Sequence, residues 1–149
     1  MAIKYKERKL TLADAVSEAC SVAQDLGNEL REAFDNTPES LQQSAVGQAR
    51  EEAADTLEGF DEVEVPESLS KVEMVHTERE LTFKQQNKQS RSNRRDGACA
   101  LLDGVISACD DIMGDDTKKD LHEDAEALHE ELSTFKDNFE AVEFPGRNG

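Results

Sequence analysis

Cysteine is scarce in this sequence. Its three residues, Cys20, Cys99 and Cys109, are odd in number and form no CxxC pair. That excludes a disulfide framework or a zinc knuckle and reads as reduced, buried thiols in a cytosolic protein. Long apolar runs are missing as well. No stretch approaches the roughly 18 apolar residues of a membrane span, and the start, MAIKYKERK, has no signal-peptide core. The expectation is a soluble, cytoplasmic chain with no membrane partner. Basic residues are outnumbered two to one, 17 against 34 acids, for a formal net charge of −17. Repulsion therefore opposes non-specific binding to nucleic acid or to an anionic membrane, so no direct nucleic-acid partner is expected. Apolar residues make up 36%, many of them alanine, which argues against a thick sandwich and for thin helix packing. A second copy of the chain would thicken such a core.

Catalytic signatures are absent too. Nothing assembles a triad, a P-loop or a dinucleotide fingerprint, so no catalytic residue and no cofactor is expected, and an enzyme is the least favoured class. Cys20 and Cys109 lie beside apolar stripes with no following histidine, which favours packing over nucleophilic chemistry. His122, Glu126 and His129 have helical spacing able to hold a metal, but they lie off the apolar face in a helix crowded with acids. The run Asp110, Asp111, Asp115, Asp116 lacks the alternating ligands of a calcium loop. No metal is expected at either place.

What is present is helical periodicity over the length of one domain. Residues 2–9 alternate as a short half-buried strand, with Ile3 and Tyr5 on one side. Thr11 with Asp14 resembles a capping box, and Leu12, Val16, Ala19, Ala23, Leu26, Leu30 and Phe34 then mark a helix ending before Pro38. Pro38 suits the first position of a new turn, which Gly47 interrupts, and Ala49, Ala53, Leu57 and Phe60 mark a second helix. Val72 to Phe83 reads as a hairpin of two short strands around Glu78-Arg79-Glu80, with Phe83 a core residue of the sheet in its plainest reading. A third helix buries Ala98 to Ile112 and stops at Gly114. Asp116 or Thr117 caps a fourth, whose Leu121, Ala125, Leu128, Leu132, Phe135 and Phe139 keep heptad spacing.

The halves resemble each other. Phe60 to Pro66 (FDEVEVP) matches Phe139 to Pro145 (FEAVEFP) at an offset of 79, and Asp14 to Cys20 matches Asp103 to Cys109 at 89. Residues 1–68 and 69–149 thus read as an internal repeat within a single domain. The expected fold is α+β, mostly α: internally duplicated helical hairpins forming a four-helix bundle with a small antiparallel sheet. In that sheet the basic strands, Lys4 to Lys9 and Lys84 onward, would lie side by side.

Charge is segregated along this chain. Residues 2–9 carry four bases and one acid, and residues 84–95 (KQQNKQSRSNRR) carry five bases and no acid, so everything else stands at −25. A cationic pole on an anionic body concentrates a small anion without inviting a polyanion. Ser90, Ser92 or Asn93 would cap the third helix, placing Arg94 and Arg95 in its first turn, where the helix dipole already favours an anion. A nucleotide-like ligand fits these residue types. Phe83 or Tyr5 would stack a base, Asn87 or Asn93 read its edge, and Arg91, Arg94 and Arg95 hold phosphate, with Lys6, Arg8, Lys84 and Lys88 adding charge. The alternative is a solvated connector whose arginines pair with carboxylates elsewhere.

The segments NELREAFDNTPESLQQ (28–43), RSNRRD (91–96) and VEFPG (142–146) resemble a group of small acidic phage proteins. This general build is similar to that of the sponge proteins that defeat the Thoeris defence by sequestering cyclic ADP-ribose isomers. The resemblance implies a non-enzymatic, oligomeric binder in the host cytoplasm, holding a nucleotide signal through Phe83, Asn93, Arg91, Arg94 and Arg95. A different class is also open: an acidic helical protein or DNA mimic that inhibits a basic, nucleic-acid-binding host protein.

Overall fold

The computed structural model describes residues 4–87 and 89–145. Two strands, β1 (Tyr5–Thr11) and β2 (Glu73–Arg79), form an antiparallel ribbon, and six helices follow the chain as α1 (Leu12–Asp35), α2 (Glu39–Gln42), α3 (Ala45–Glu58), α4 (Phe83–Asn87), α5 (Arg91–Met113) and α6 (His122–Glu140). The fold is therefore mostly helical with one small sheet, as expected.

Local chemistry accounts for most boundaries. The Thr11 hydroxyl accepts the N–H of Asp14 at 3.1 Å and opens α1 directly out of β1. Ser90 does the same for α5, accepting from Asn93 at 3.1 Å, and Gly114 closes that helix as expected. Pro38 stands immediately before the single turn of α2. The turn begun after Pro38 is not interrupted by Gly47; it ends earlier, at Gln43. Gly47 lies inside α3, which Ser44 caps. Before α6 the chain makes six residues of 3-10 helix, Asp116–Leu121, capped by Asp115, so the expected cap at Asp116 or Thr117 falls one or two steps late for the turn and early for α6.

The expected hairpin within Val72–Phe83 is corrected. Only its first half is a strand, and β2 pairs with β1 in the register Tyr5↔Arg79 to Thr11↔Glu73. From Thr82 the chain turns helical, because Thr82 and Gln85 form a reciprocal cap: each backbone N–H reaches the other's side chain, at 2.9 and 3.2 Å. Phe83 consequently leaves the sheet and is 80% exposed, and Lys84 lies in α4 rather than in a strand beside Lys4 to Lys9. The strand expected from residue 2 is described from Tyr5; Ala2 and Ile3 lie outside the described residues.

Helix α1 packs on α3 and on α5, and α5 packs on α6. Arg94, early in α5, bonds Glu29, late in α1, so the two long helices run antiparallel. Small residues set their approach: Ala15, Ala19 and Ala98 are buried. Arg31 ties α1 to α3 through Glu58 (3.0 Å) and Asp55. Phe60, Phe135 and Phe139 close the core in tilted and edge-on contacts with centroids 5.1 to 6.0 Å apart. The sheet docks where Met74, the buried residue of β2, fills the space left by Gly104 on α5.

Gly47 decides between two opposing effects. Alanine ordinarily favours a helix interior by about 0.5–1 kcal/mol over glycine. Here a Cβ would lie 2.5 Å from the carbonyl oxygens of both Leu41 and Gln42. Backbone cannot yield as a side-chain tip can, so Gly47→Ala is expected to destabilise by about 1–3 kcal/mol in urea unfolding.

Candidate functional site

The strands alternate so that Lys6, Arg8, Leu10, Met74, His76 and Glu78 face the helices. Leu10 and Met74 bury against the core, but beyond them this inner face is polar. There the ribbon, α4 and the start of α5 enclose an open cleft of about 1080 Å³. Its floor is made of Val22 from α1 with Gly97, Ala98 and Leu101 from α5; its walls carry Lys6, Glu78, Arg79, Lys84, Asn93 and Arg94, and the amides of Gln85, Gln86 and Gln89.

An ion-pair network holds the ribbon over α1. The Arg8 guanidinium donates to both Glu18 oxygens, at 2.8 and 3.0 Å, and lies 3.5 Å from Glu78, which also neighbours Lys6 at 3.6 Å. The bidentate bond from Arg8 holds the Glu18 carboxyl below its ordinary value, against the opposing effect of burial.

The structure places the residues expected at the site unevenly. Lys6, Lys84, Asn93 and Arg94 line the cleft. Arg94 is already occupied, bonded to Glu29 at 2.7–2.8 Å, and that bond raises its pKa; Arg91 lies 3.8 Å from the same carboxylate. Arg95 turns elsewhere. It donates to the Val142 carbonyl at 2.6 Å, pairs with Asp96 at 3.1 Å, and stacks its guanidinium 5.5 Å over the Phe144 ring, pinning the terminal FxxVExP segment. Arg8 is committed to Glu18. Tyr5, 64% exposed, belongs to the opposite face of the ribbon, and Phe83 does not line the cleft. Lys88 lies outside the described residues. Arg91 and Arg94 thus meet a carboxylate supplied by another element, as the alternative expected, but all three arginines lie in a helix and not in a solvated connector.

Arg79 and the three glutamines were not anticipated. Reading Glu78-Arg79-Glu80 as a turn hid Arg79, and the Thr82-x-x-Gln85 capping signature was the signal that would have placed the amides of Gln85 and Gln86 on a helix. Among the described residues neither Arg79 nor Lys84 makes an ion pair.

The thiols, the histidines and the long helices complete the picture. All three thiols are free; burial pushes Cys99 and Cys109 up to about 11 and raises Cys20, which borders a smaller cleft of about 340 Å³ beside Phe60. His122 bonds the Asp115 carbonyl at 2.9 Å and His129 lies 3.0 Å from Asp110, and among the described residues no group of three ligands is arranged for a metal. No described helix is long and apolar enough to cross a membrane.

Comparison of the chain with protein-family models, with curated proteins and with solved structures finds no match in any of the three.

The Glu18–Arg8 bond has a pH signature. Because the folded carboxyl is the stronger acid, its contribution is complete above the ordinary glutamate value of 4.5 and fades as pH falls through the depressed folded value. Thermal melts from pH 7 to pH 3 are expected to show a smaller acid loss in Glu18→Gln than in the wild type. The thiols make a second prediction. At pH 8 Cys99 and Cys109 should resist a thiol reagent until the protein is unfolded, with Cys20 reacting first, as read by mass spectrometry of the labelled chain.

Proposed function

We propose that this protein is a non-enzymatic, phage-type binder that sequesters a small anionic nucleotide-derived signal, a cyclic ADP-ribose isomer or cyclic nucleotide, and so blocks host immune signalling in the cytoplasm. The observation that carries this reading is the cleft itself: Arg79 and Lys84, two cations without ion-pair partners among the described residues, stand over a floor of small apolar residues on a chain of charge −17. An apolar floor with a few convergent polar groups suits a planar ring bearing an anion. Arg91, Arg94 and Arg95 then serve as scaffold, with Asn93 and Lys6 at the rim. The binder acts as a homo-oligomer, consistent with exposed Tyr5, Val75 and Phe83 around the ribbon.

A second reading, from a different class, rests on α6. Its Glu123, Glu126, Glu130, Glu131 and Asp137 are exposed and make no ion pair among the described residues. Such a face suits a basic host protein, as an acidic interaction protein or DNA mimic would.

We also infer that residues 1–68 and 69–149 are duplicated helical hairpins forming a four-helix bundle. Support comes from one offset of 79. It carries Leu12–Asp35 onto residues 91–114, the cap Thr11 onto the cap Ser90, buried Ala19 onto Ala98, and Phe60 and Val63 onto Phe139 and Val142. This single offset replaces the 89 expected for the first helix pair.

Thermal denaturation against cyclic ADP-ribose isomers and cyclic nucleotides, with phosphate alone as control, tests the first reading. A ligand at 100 times its Kd stabilises by about 2.7 kcal/mol, a rise of roughly 5–10 °C for a domain of this size. Arg79→Ala with Lys84→Ala should abolish the rise. No rise with any ligand, together with salt-sensitive capture of a basic protein that Glu126→Gln with Glu130→Gln removes, would move the assignment to α6.

A further inference from the structure

We propose that the free edge of β2 is the recognition element of the cleft and reads the hydrogen-bonding edge of a nucleobase, an inference that rests on the nucleotide-binding reading of that cleft. The phase of the ladder is the starting point. The N–H of Leu12 donates to Val72 and that of Glu80 to Lys4, both at 2.8 Å, at the two ends of one continuous register. In an antiparallel pair, bonded and non-bonded positions alternate, so the even-numbered residues of both strands exchange the interstrand bonds. The odd-numbered residues of β2, Glu73, Val75, Thr77 and Arg79, therefore turn their N–H and C=O away from β1, toward the free edge. Thr77 and Arg79 nevertheless line the cleft, although alternation starts their side chains on the other face of the ribbon; from the end of the strand the long Arg79 side chain can bend round the edge, and the short Thr77 side chain cannot. At Thr77, what the cleft then meets is the outward main-chain edge that no neighbouring strand uses.

A residue in this position offers one donor and one acceptor in the same direction, the pair that an added strand would engage twice. A nucleobase edge carries the complementary arrangement, a ring or exocyclic N–H beside a ring nitrogen or carbonyl oxygen. The floor admits such a ring face-on. Gly97 is a helical glycine with nothing within 4 Å of where its Cβ would be, beside Ala98 and Leu101. Arg79 and Lys84 then meet the phosphate. Base edge to Thr77, base face to the α5 floor and phosphate to two cations make the ligand class a nucleoside phosphate rather than a bare anion.

The test is calorimetric titration of the full chain with the four common nucleoside 5′-monophosphates, purine riboside 5′-monophosphate and ribose 5-phosphate. At least one nucleotide should bind about tenfold or more tightly than ribose 5-phosphate, and an adenine nucleotide more tightly than its analogue lacking the 6-amino group. Thr77→Pro removes the outward N–H without touching a ladder bond, as proline on an edge position permits, and should erase that preference. Glu7→Pro, at an outward position of β1 on the far edge, should leave it intact. Equal binding of nucleotides and ribose 5-phosphate by the wild type, or a full preference retained by folded Thr77→Pro, overturns the inference while leaving an anion-binding cleft. If Thr77→Pro fails to fold, the wild-type comparison alone decides. Absence of binding by every nucleotide of this panel overturns this inference, while the melting test with the cyclic ligands decides the reading beneath it.

Discussion

Everything in this fold depends on how closely α1 and α5 can approach. Alanines along the contact let two long antiparallel helices lie near each other, and each then carries a second helix, α3 on one and α6 on the other. The ribbon has no core of its own; a two-stranded sheet is marginal in water and persists here because Leu10 and Met74 dock on the helices. Gly104 supplies the room for Met74, so one glycine on α5 lets the ribbon seat its buried side chain on the helices.

Charge follows from the same geometry. On a chain so rich in carboxylates, a guanidinium meets an acid almost wherever it lands, and Arg8, Arg31, Arg91 and Arg94 each do. These pairs are partly exposed, so their worth lies in fixing which surfaces meet more than in bulk stability. The cations left over mark where an outside anion has something to gain. Of those among the described residues, Arg79 and Lys84, at the end of β2 and in α4, line the cleft, and they are not part of the arginine run at the start of α5.

The helices were legible in the sequence because their signals are local. Thr11 with Asp14, Pro38 and Gly114 punctuate stripes whose members turn out buried, from Leu12 and Leu30 to Leu128 and Phe139. The segment around Phe83 was misread because alternation at Leu81 and Phe83 competed with a capping pair, and a reciprocal pair of hydrogen bonds outweighs two alternating apolar residues on so short a stretch. The site was half legible for a different reason. Lys6, Lys84, Asn93 and Arg94 do converge, yet the partner of Arg94 is 65 residues away at Glu29 and the partner of Arg95 is a main-chain carbonyl at Val142. No spacing rule discloses a carboxylate supplied by another helix.

The ladder phase divides each strand between two duties. Even-numbered residues carry both the interstrand bonds and the inward side chains; odd-numbered residues carry neither. Over evolutionary time the two sets answer to different pressures. Leu10, Met74 and the Arg8 network must be kept for the ribbon to stay in place, while Glu73, Val75 and Thr77 are at liberty to drift. A lineage can therefore rewrite what the edge of β2 meets, one substitution at a time, without renegotiating the fold beneath it.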